Sequence, residues 1–412
     1  MKFRRFMSLA LCLGLCLSCL PGAAPAEEKP EWYGDMLTAA QVSLGNNRRL
    51  QRVIERAQAG EELTIVTIGG SVTEGAGAAK PAECYASRFA QGFWDRYGAG
   101  GEGKIRLLNA GVGGTASTFG MMRYAHDVLP RVRDEDGLPD LVVVEFAVND
   151  FNEPTKHRCY ESLVKQILEQ PNEPAVILLF AVFWGGWNLQ DELKRVGETY
   201  DLMMVSIRDS AYPHVGKEWT REQFFADDYH PTSFGHGVMA DCLLAAVEAS
   251  HAQPTAEADI NLDVKPAFGT DYMDMRLIFA DMEDDPAIEF SRGSFTRDDT
   301  RAYKTAAMGR ICGKNFSHDP KAGNEPIRFK ATFRNLLIAW RSVNDTNNFG
   351  RCRVTVDGQV ARILGGGSDS WGQSDVTLVY TSNDPAEHVV EISMMPKAVE
   401  KQFTVTCIGF AP

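Results

Sequence analysis

The sequence predicts two folded units, a three-layer α/β/α domain built on a parallel sheet and then an all-β sandwich of jelly-roll type. The first prediction rests on apolar runs that alternate with amphipathic stretches from about residue 36 to residue 250. The second rests on the change after that point, where only short strand-like runs and turns follow. A chain of 412 residues is long enough for two domains, each with its own core.

Five apolar runs in the first unit are rich in Val, Ile and Leu and nearly continuous, which is typical of strands buried on both faces. Amphipathic stretches alternate with them, and this alternation indicates βαβ units. The predicted strands are 63–68, 105–108, 141–146, 175–183 and 202–207, and the predicted helices are 86–97, 119–129, 160–168, 189–199 and 234–249.

A polar, helix-poor segment separates the two units. We assign residues 36–250 to the α/β/α domain, 251–266 to a linker and 267–412 to the β-sandwich. Regular short strands without helices are typical of a sandwich. The strands predicted there are 327–333, 336–341, 352–356, 376–380, 389–394 and 403–410.

Residues 1–26 have the pattern of a secretory signal peptide. A basic start precedes an apolar run from residue 6 to residue 20, and a small-x-small site ends at Ala26. We therefore expect an exported protein, secreted or at the cell surface or in the periplasm, with a lipid anchor on Cys19 as the less favoured alternative. Beyond this segment, no apolar stretch approaches the roughly 20 residues of a membrane-spanning helix.

The charge balance excludes one class of partner. With 42 Lys and Arg against 55 Asp and Glu, the formal net charge is −13, so an acidic surface repels nucleic acid. Hydrophobic residues make up 44% of the chain, as in an ordinary folded protein. The sequence carries no signal for the oligomeric state.

The cysteines that follow the signal segment are far apart and lack metal-ligand spacing. We expect them to be buried apolar side chains with at most one disulfide. They are Cys84, Cys159, Cys242, Cys312, Cys352 and Cys407.

Polar or glycine-rich blocks follow four of the five predicted strands of the first unit. Because the carboxyl ends of parallel strands meet at one sheet edge, these blocks should lie close together. They supply a hydroxyl, glycine-rich backbone, an amide and an Asp/His pair, which are the parts needed for acyl transfer. The blocks are Gly69-Gly70-Ser71-Val72-Thr73-Glu74-Gly75, 109–115, Ala147-Val148-Asn149-Asp150 and Asp227-Asp228-Tyr229-His230-Pro231.

In order and spacing, these blocks resemble the SGNH hydrolases, also called the GDSL esterase/lipase family. The resemblance implies a flavodoxin-like α/β/α fold and a serine esterase that needs no metal or organic cofactor. It implies Ser71 as the nucleophile, His230 as the general base and Asp227 as the carboxylate that orients His230. It places the oxyanion hole at the backbone N–H groups of Ser71 and Gly114 and the side chain of Asn149.

The match departs from the family pattern at two positions. Gly70 stands where the family has Asp, and we expect activity to survive this change. Ala147 stands where the family has Gly, and we expect its methyl group to narrow the pocket. The neighbouring Gly113 and Asp228 remain alternatives for the oxyanion glycine and the carboxylate. His236 is interpreted as a histidine on a helix surface.

Trp184 and Trp187 follow the fourth predicted strand, at the same sheet edge. Two interpretations are equally open: a flat platform for a sugar ring, or side chains that fill the groove between helix and sheet. Trp340 lies inside a predicted strand and is assigned to the core, whereas for Trp371 the same question stays open.

Two apparent motifs are set aside. The segment 98–103 matches G-x-G-x-x-G but follows a helix and precedes a strand, the reverse of the dinucleotide-binding context. The acidic cluster of Asp281, Glu283, Asp284 and Asp285 lacks the spacing of a calcium loop and is interpreted as a solvated turn.

The combined pattern predicts an exported serine esterase that removes O-acetyl groups from polysaccharides or oligosaccharides. An acetylated glycan or a small ester is therefore the expected substrate. The alternatives are a lipid-directed esterase or lysophospholipase, an O-acyltransferase with the same triad, and a non-catalytic glycan-binding protein.

Overall fold

The computed structural model describes residues 29–100, 105–132, 137–282, 288–302, 304–367 and 374–412. The predicted signal peptide, Trp371, part of the 98–103 segment and three members of the acidic cluster lie outside these residues.

The first unit contains a six-stranded sheet. Its strands are β1 (Gln41–Ser43), β2 (Leu63–Gly69), β3 (Ile105–Gly111), β4 (Leu141–Glu145), β5 (Ala175–Phe180) and β6 (Met203–Ser206). They lie in the order β1-β6-β5-β4-β2-β3; β2 to β6 run parallel, and β1 pairs antiparallel with β6. The parallel strands have the flavodoxin-like order, with the topological switch point between β2 and β4. The predicted parallel sheet is confirmed, and β1 adds an edge strand that we had not predicted.

Helices cover both faces of this sheet because alternate strand residues point to opposite sides. Leu63 and Ile65 pack with one set of helices, whereas Val66 and Ile68 pack with the other. The first layer contains α1 (Glu31–Ala39), α2 (Arg48–Gln58), α4 (Tyr85–Tyr97) and α9 (Ser233–His251). The second contains α5 (Ser117–Arg123), α6 (Arg158–Leu168) and α7 (Gln190–Thr199), while α3 (Ser71–Glu74) and α8 (Arg221–Phe224) are single turns.

Helix α2 was not among the predicted helices. Its buried residues Leu50, Val53, Ile54 and Ala57 have the i, i+3, i+4, i+7 spacing of an amphipathic helix. The arginines between them hide this stripe from a search for apolar runs, but the spacing itself would have revealed the helix.

The second unit is an antiparallel eight-stranded assembly, as the predicted sandwich requires. Short strands come first: β7 (Arg276–Ile278), β8 (Glu289–Ser291), β9 (Lys304–Thr305), β10 (Gly309–Arg310) and β11 (Phe316–Ser317). Then follow β12 (Ile327–Trp340), β13 (Arg351–Val356), β14 (Gln359–Gly365), β15 (Asp375–Met394) and β16 (Thr404–Ala411). The main order is β11-β16-β12-β15-β13-β14, with β7 on β16 and β8 on β12, while β9 and β10 form a separate hairpin.

Two long strands replace four of the predicted short ones. Strand β12 joins predicted strands 327–333 and 336–341, and β15 joins 376–380 and 389–394. Strands β12 and β15 pair with each other, and the register of this pairing shifts between Phe333 and Asn335. Such a shift bends the strand locally, but the hydrogen-bonded pairing continues on both sides of it. Trp340 is buried and donates a hydrogen bond from Nε1 to the carbonyl of Gly365 at 3.2 Å, consistent with its assignment to the core.

The two units share one apolar core. Phe119 and Met122 of α5 belong to the same buried cluster as Leu337 of β12 and Cys407 of β16. In the segment between the units, the buried Ile260 joins this cluster as well. Separating the two units would therefore expose apolar surface on both.

The six cysteines at positions 84, 159, 242, 312, 352 and 407 are buried, and none forms a disulfide with another described cysteine. Within the described ranges, no helix is both long and apolar enough to cross a membrane.

Candidate active site

A serine, a histidine and an aspartate form a hydrogen-bonded chain at the carboxyl edge of the sheet. Ser71 begins α3 directly after β2, so its hydroxyl stands at the switch point. The Oγ of Ser71 lies 3.0 Å from Nε2 of His230, and Nδ1 of His230 lies 2.8 Å from Oδ2 of Asp227. With the ring proton on Nδ1, His230 donates to Asp227 and leaves the Nε2 lone pair for the serine hydroxyl.

Asp227 is held in place by its own loop. Its Oδ1 accepts hydrogen bonds from the backbone N–H groups of Tyr229 at 2.7 Å and His230 at 2.9 Å. Partial burial raises the pKa of Asp227, but the hydrogen bonds from the His230 ring and from these two N–H groups outweigh it and lower the pKa below its ordinary value. Asp228 instead pairs with Arg221, so the geometry favours Asp227 over Asp228 as the partner of His230.

Three hydrogen-bond donors, on Ser71 and on residues near it, have no acceptor among the residues that the structure describes. They are the N–H groups of Ser71 and Gly114 and Nδ2 of Asn149. Gly114 has a φ of +69°, in the left-handed region that favours glycine. The N–H of Gly113 is bonded to Oε2 of Glu74 at 2.7 Å, so the geometry favours Gly114 over Gly113 as a donor to a ligand.

The methyl group of Ala147 does not narrow the pocket, contrary to our expectation. Ala147 is fully buried in the core on the α5–α6 side of the sheet, and its carbonyl accepts the N–H of Leu189 at 2.8 Å. The extra methyl group therefore contributes to packing behind the site.

Two buried carboxyl groups lie behind the site: Asp150, which belongs to the third block but was given no role from the sequence, and Glu145, which was not singled out from the sequence. Burial raises the pKa of Glu145 to about 8 and that of Asp150 to about 7, although hydrogen bonds from Thr73 and from Ser117, respectively, oppose the increase. Asp150 Oδ1 accepts the N–H of Ser117 at 2.7 Å, which ties the loop of Asn149 to the start of α5. Only the fold shows this link, because the two residues are distant in sequence.

His236 is not on a helix surface, as we had interpreted it, but is fully buried. Its Nδ1 accepts the N–H of Tyr85 at 3.3 Å, and its Nε2 donates to the carbonyl of Ala76 at 3.0 Å. Burial lowers its pKa to about 4, so the ring is neutral near pH 7. The neutral ring thereby links α4 and α9 to the loop that follows Ser71.

Trp184 and Trp187 do not fill the groove between helix and sheet, because 39% and 42% of their surfaces are exposed. Trp187 belongs to a row of neighbouring rings that begins at His230. The ring centroids are 6.2 Å apart from His230 to Tyr229, 5.0 Å from Tyr229 to Phe183, 5.9 Å from Phe183 to Trp187 and 6.1 Å from Trp187 to Phe151.

We call the exposed side chains of Phe151, Trp187 and Tyr229 the aromatic surface. Phe151 and Tyr229 were missed in the sequence, although each lies within two residues of a predicted site residue. Trp184 lies apart from this row; its ring contacts Tyr212 and Phe225, and the guanidinium of Arg221 lies 5.3 Å from its centroid.

A pocket of about 400 Å³ opens beside Ser71 and His230. Its walls come from the loop after Ser71, from Gly113 and Gly114, and from Ala306 in the turn between β9 and β10. The second unit therefore contributes part of the pocket wall. A larger groove of about 840 Å³, between α1, α4 and α9, contains none of the triad residues.

The hairpin that carries Ala306 is anchored to the first unit by an ionic cluster. Arg131 donates to the carbonyl groups of Met308 and Arg310, and to Oδ1 of Asp127 at 2.8 Å. The same Asp127 oxygen accepts the N–H of Cys312 at 2.8 Å. These contacts fix the β10 end of the hairpin, next to the pocket.

The fold and the arrangement at this sheet edge are those of a carboxylic ester hydrolase. Residues 67–238, within the α/β unit, match the model of the GDSL-like lipase/acylhydrolase family. A search of curated protein sequences found no match.

The whole chain is similar to a solved two-domain esterase (CEX) active on acetylated mannans. The TM-score is 0.76 at 23% sequence identity, and the similarity covers 91% of this chain and 98% of the other. The structure of such an esterase co-crystallized with mannopentaose gives a TM-score of 0.74 at 24% identity, covering 91% and 97%. At this level of identity the similarity shows a shared two-domain fold.

Proposed function

We propose that the chain is an exported serine esterase that removes O-acetyl groups from glycans through an acyl-enzyme on Ser71. The observation that carries the proposal is the hydrogen-bonded chain from Ser71 through His230 to Asp227. A serine hydroxyl is a weak nucleophile at neutral pH, and a base in hydrogen-bond contact is what activates it.

In the first step, Oγ of Ser71 attacks the acetyl carbonyl carbon while Nε2 of His230 takes the hydroxyl proton. The resulting imidazolium is stabilised by Asp227, which remains ionised. His230 then gives the proton to the departing sugar oxygen, and the acetyl group stays on Ser71. A water molecule that loses its proton to His230 attacks this ester, and the return of the proton to Oγ releases acetate.

The negative oxygen of each tetrahedral intermediate is assigned to the N–H groups of Ser71 and Gly114 and the amide of Asn149. All three are without acceptors in the described part of the chain, which leaves them available to a ligand. Loss of one such donor costs about 10²- to 10³-fold in rate.

Glycan specificity rests on the aromatic surface and on the shape of the pocket. Sugar rings present C–H faces that pack on exposed aromatic rings, and the row of rings begins with Tyr229, whose centroid lies 6.2 Å from that of His230. Exposed rings therefore lie next to the place where the sugars beside an acetylated unit at Ser71 would bind. The similar two-domain esterase is active on acetylated mannans, so acetylated mannan is the first substrate to test.

The decisive experiment measures acetate released from acetylated mannan, xylan and pectin by the full-length protein and by Ser71→Ala. We expect release from at least one glycan by the parent and a loss of at least about 10³-fold in the variant, with an unchanged melting temperature. No release from any glycan by a folded parent would contradict the glycan assignment. The full chain is required because the two units share a core.

A chain-length series of p-nitrophenyl esters separates this proposal from a lipid-directed esterase. We expect acetate to be preferred to octanoate, because the lining of the pocket beside Ser71 consists of glycines, alanines, one proline and polar residues and offers no large apolar side chain to hold a long acyl chain. A preference for octanoate would favour the lipid-directed alternative, and acetylation of added sugar would favour an acyltransferase.

Export is part of the same proposal and rests on the pattern of residues 1–26. Expression of the whole gene product in a bacterial host, followed by N-terminal sequencing of the processed protein, should give Glu27 as the first residue. Full-length protein retained in the cytoplasm would contradict export.

A further inference from the structure

Glu74 lies at the pocket and has no role in the mechanism above. It ends α3, the single helical turn that begins with Ser71, so its side chain is rigidly connected to the nucleophile. Its Oε2 accepts the N–H of Gly113 at 2.7 Å, and the residue lines the pocket with Ser71 and His230. This bond joins the helical turn of the nucleophile to the glycine loop after β3.

The glycine loop passes close to both residues. A Cβ atom on Gly113 would lie 3.0 Å from Oε2 of Glu74 and 3.5 Å from Cβ of Ser71. Two consecutive glycines leave the peptide between Gly113 and Gly114 few intrinsic restraints, because neither residue has a side chain to limit its dihedrals. The direction of the Gly114 N–H therefore depends on contacts that hold the loop from outside.

The bond from Glu74 supplies such a contact one peptide before the Gly114 N–H. On the far side of this peptide, the hydroxyl of Thr115 donates to the carbonyl of Val112 at 2.7 Å and closes the loop on itself. Of these two restraints, only the bond to Glu74 ties the loop to the element that carries Ser71.

The surroundings of Glu74 raise the pKa of its carboxyl group above the ordinary value. Burial raises the pKa of Glu74, while the Gly113 N–H and the positive charge of Arg123 oppose the increase. A full negative charge beside a forming oxyanion would be unfavourable, so the useful property of Glu74 is its ability to accept a hydrogen bond.

We propose that Glu74 is a positioning residue that sets the Gly113–Gly114 peptide so that the N–H of Gly114 points at the oxyanion. This inference rests on the proposed esterase function. It concerns the geometry of the hole, so Glu74 should act equally on any ester that Ser71 attacks.

The test compares Glu74→Ala, Glu74→Gln and Glu74→Asp on p-nitrophenyl acetate and on acetylated mannan. Glu74→Ala removes the acceptor, and we expect kcat to fall about 10- to 100-fold on both substrates with KM within about twofold. Glu74→Gln keeps an acceptor at the same reach and should stay within about threefold of the parent. Glu74→Asp keeps the charge but shortens the side chain and should behave like Glu74→Ala.

The exposed Glu55, on α2, gives the matched control, and Glu55→Ala should leave both activities unchanged. Melting temperatures show whether each variant is folded. If Glu74→Ala does not fold, the comparison of Glu74→Gln with Glu74→Asp still tests the proposal.

Three results would overturn the proposed role of Glu74. They are equal losses of kcat in Glu74→Gln and Glu74→Ala, a loss of kcat on acetylated mannan alone, or no loss of kcat in a folded Glu74→Ala. The second result would indicate that Glu74 recognises a sugar hydroxyl. Failure of the proposed function itself has a different signature, namely a parent protein that is inactive on both esters.

Discussion

A Cβ atom on Gly70 would lie 2.2 Å from Oδ1 of Asn149, so the carboxamide of Asn149 occupies the space that a side chain at position 70 would fill. The glycine that replaces the family's usual Asp therefore has a structural consequence. It allows Asn149 to lie directly against the residue that precedes Ser71.

Substitution of Gly70 by Asp, the residue usual in the family, should lower the activity of this chain. The Asn149 side chain can rotate away from the new carbon at little cost to the fold, but its amide then leaves the proposed oxyanion hole. We expect kcat on p-nitrophenyl acetate to fall about 10²-fold, as in Asn149→Ala, with a melting temperature close to that of the parent. Parent-like activity in Gly70→Asp would contradict this account of the two residues.

Asp227 and Asp228 form a matched pair for testing the orientation of His230. In Asp227→Asn the carboxylate that fixes the ring tautomer is lost, so kcat should fall by about 10³- to 10⁴-fold. Asp228→Asn removes only an exposed ion pair with Arg221 and should change kcat by less than about threefold. A larger loss in Asp228→Asn than in Asp227→Asn would reverse the assignment.

The aromatic surface should matter for polymers and not for small esters. We expect Trp187→Ala and Phe151→Ala each to raise KM for acetylated mannan about 5- to 20-fold, because each removes a ring on which a sugar can stack. Activity on p-nitrophenyl acetate should stay within about twofold. Equal effects of a variant on both substrates would indicate that the ring supports the fold of the site. An unchanged KM for every glycan would show that the aromatic surface does not bind glycans.

The hairpin turn of the second unit offers a test of its place in the pocket. Ala306 lines the pocket whereas the neighbouring Ala307, also exposed, does not. A tryptophan at position 306 should fill part of the roughly 400 Å³ pocket and raise KM for acetylated mannan at least about tenfold. The same substitution at position 307 is the control and should have little effect. If the two variants have similar KM values for acetylated mannan, the hairpin turn takes no part in substrate binding.

The buried Glu145 should make stability depend on pH. Its pKa in the folded protein is about 8, above the ordinary value of 4.5, so the folded state holds the proton more tightly than the unfolded chain. The associated stability is fully present below about pH 4.5 and is lost as the pH rises through 8. Glu145→Gln cannot lose a proton, so its free energy of unfolding relative to the parent should increase between pH 6 and pH 8.5. Urea unfolding at the two pH values measures this difference in the free energy of unfolding, with Glu55→Gln as the control. If the difference between Glu145→Gln and the parent is the same at both pH values, Glu145 is not a buried, protonated carboxyl group.

Local patterns were sufficient to predict the sheet because buried parallel strands are continuous apolar runs. The same argument located the catalytic blocks, since each follows such a run and the carboxyl ends of parallel strands converge. Polar helix α2 and the short edge strand β1 lack such a run, and they were missed. The long strands β12 and β15 were divided because a bend in a strand resembles a turn in the sequence.

The sequence by itself determined the residue types of the site, the order of its blocks and the class of chemistry that they allow. The tertiary structure distinguished adjacent candidates: Asp227 rather than Asp228 is hydrogen-bonded to the ring of His230, and the N–H of Gly113 is bonded to Glu74 whereas that of Gly114 has no acceptor among the described residues. It also buried His236 and brought Ala306 to the pocket. These outcomes depend on contacts between residues far apart in the chain, which no local pattern encodes, whereas the identity of the reacting groups is carried by single short segments.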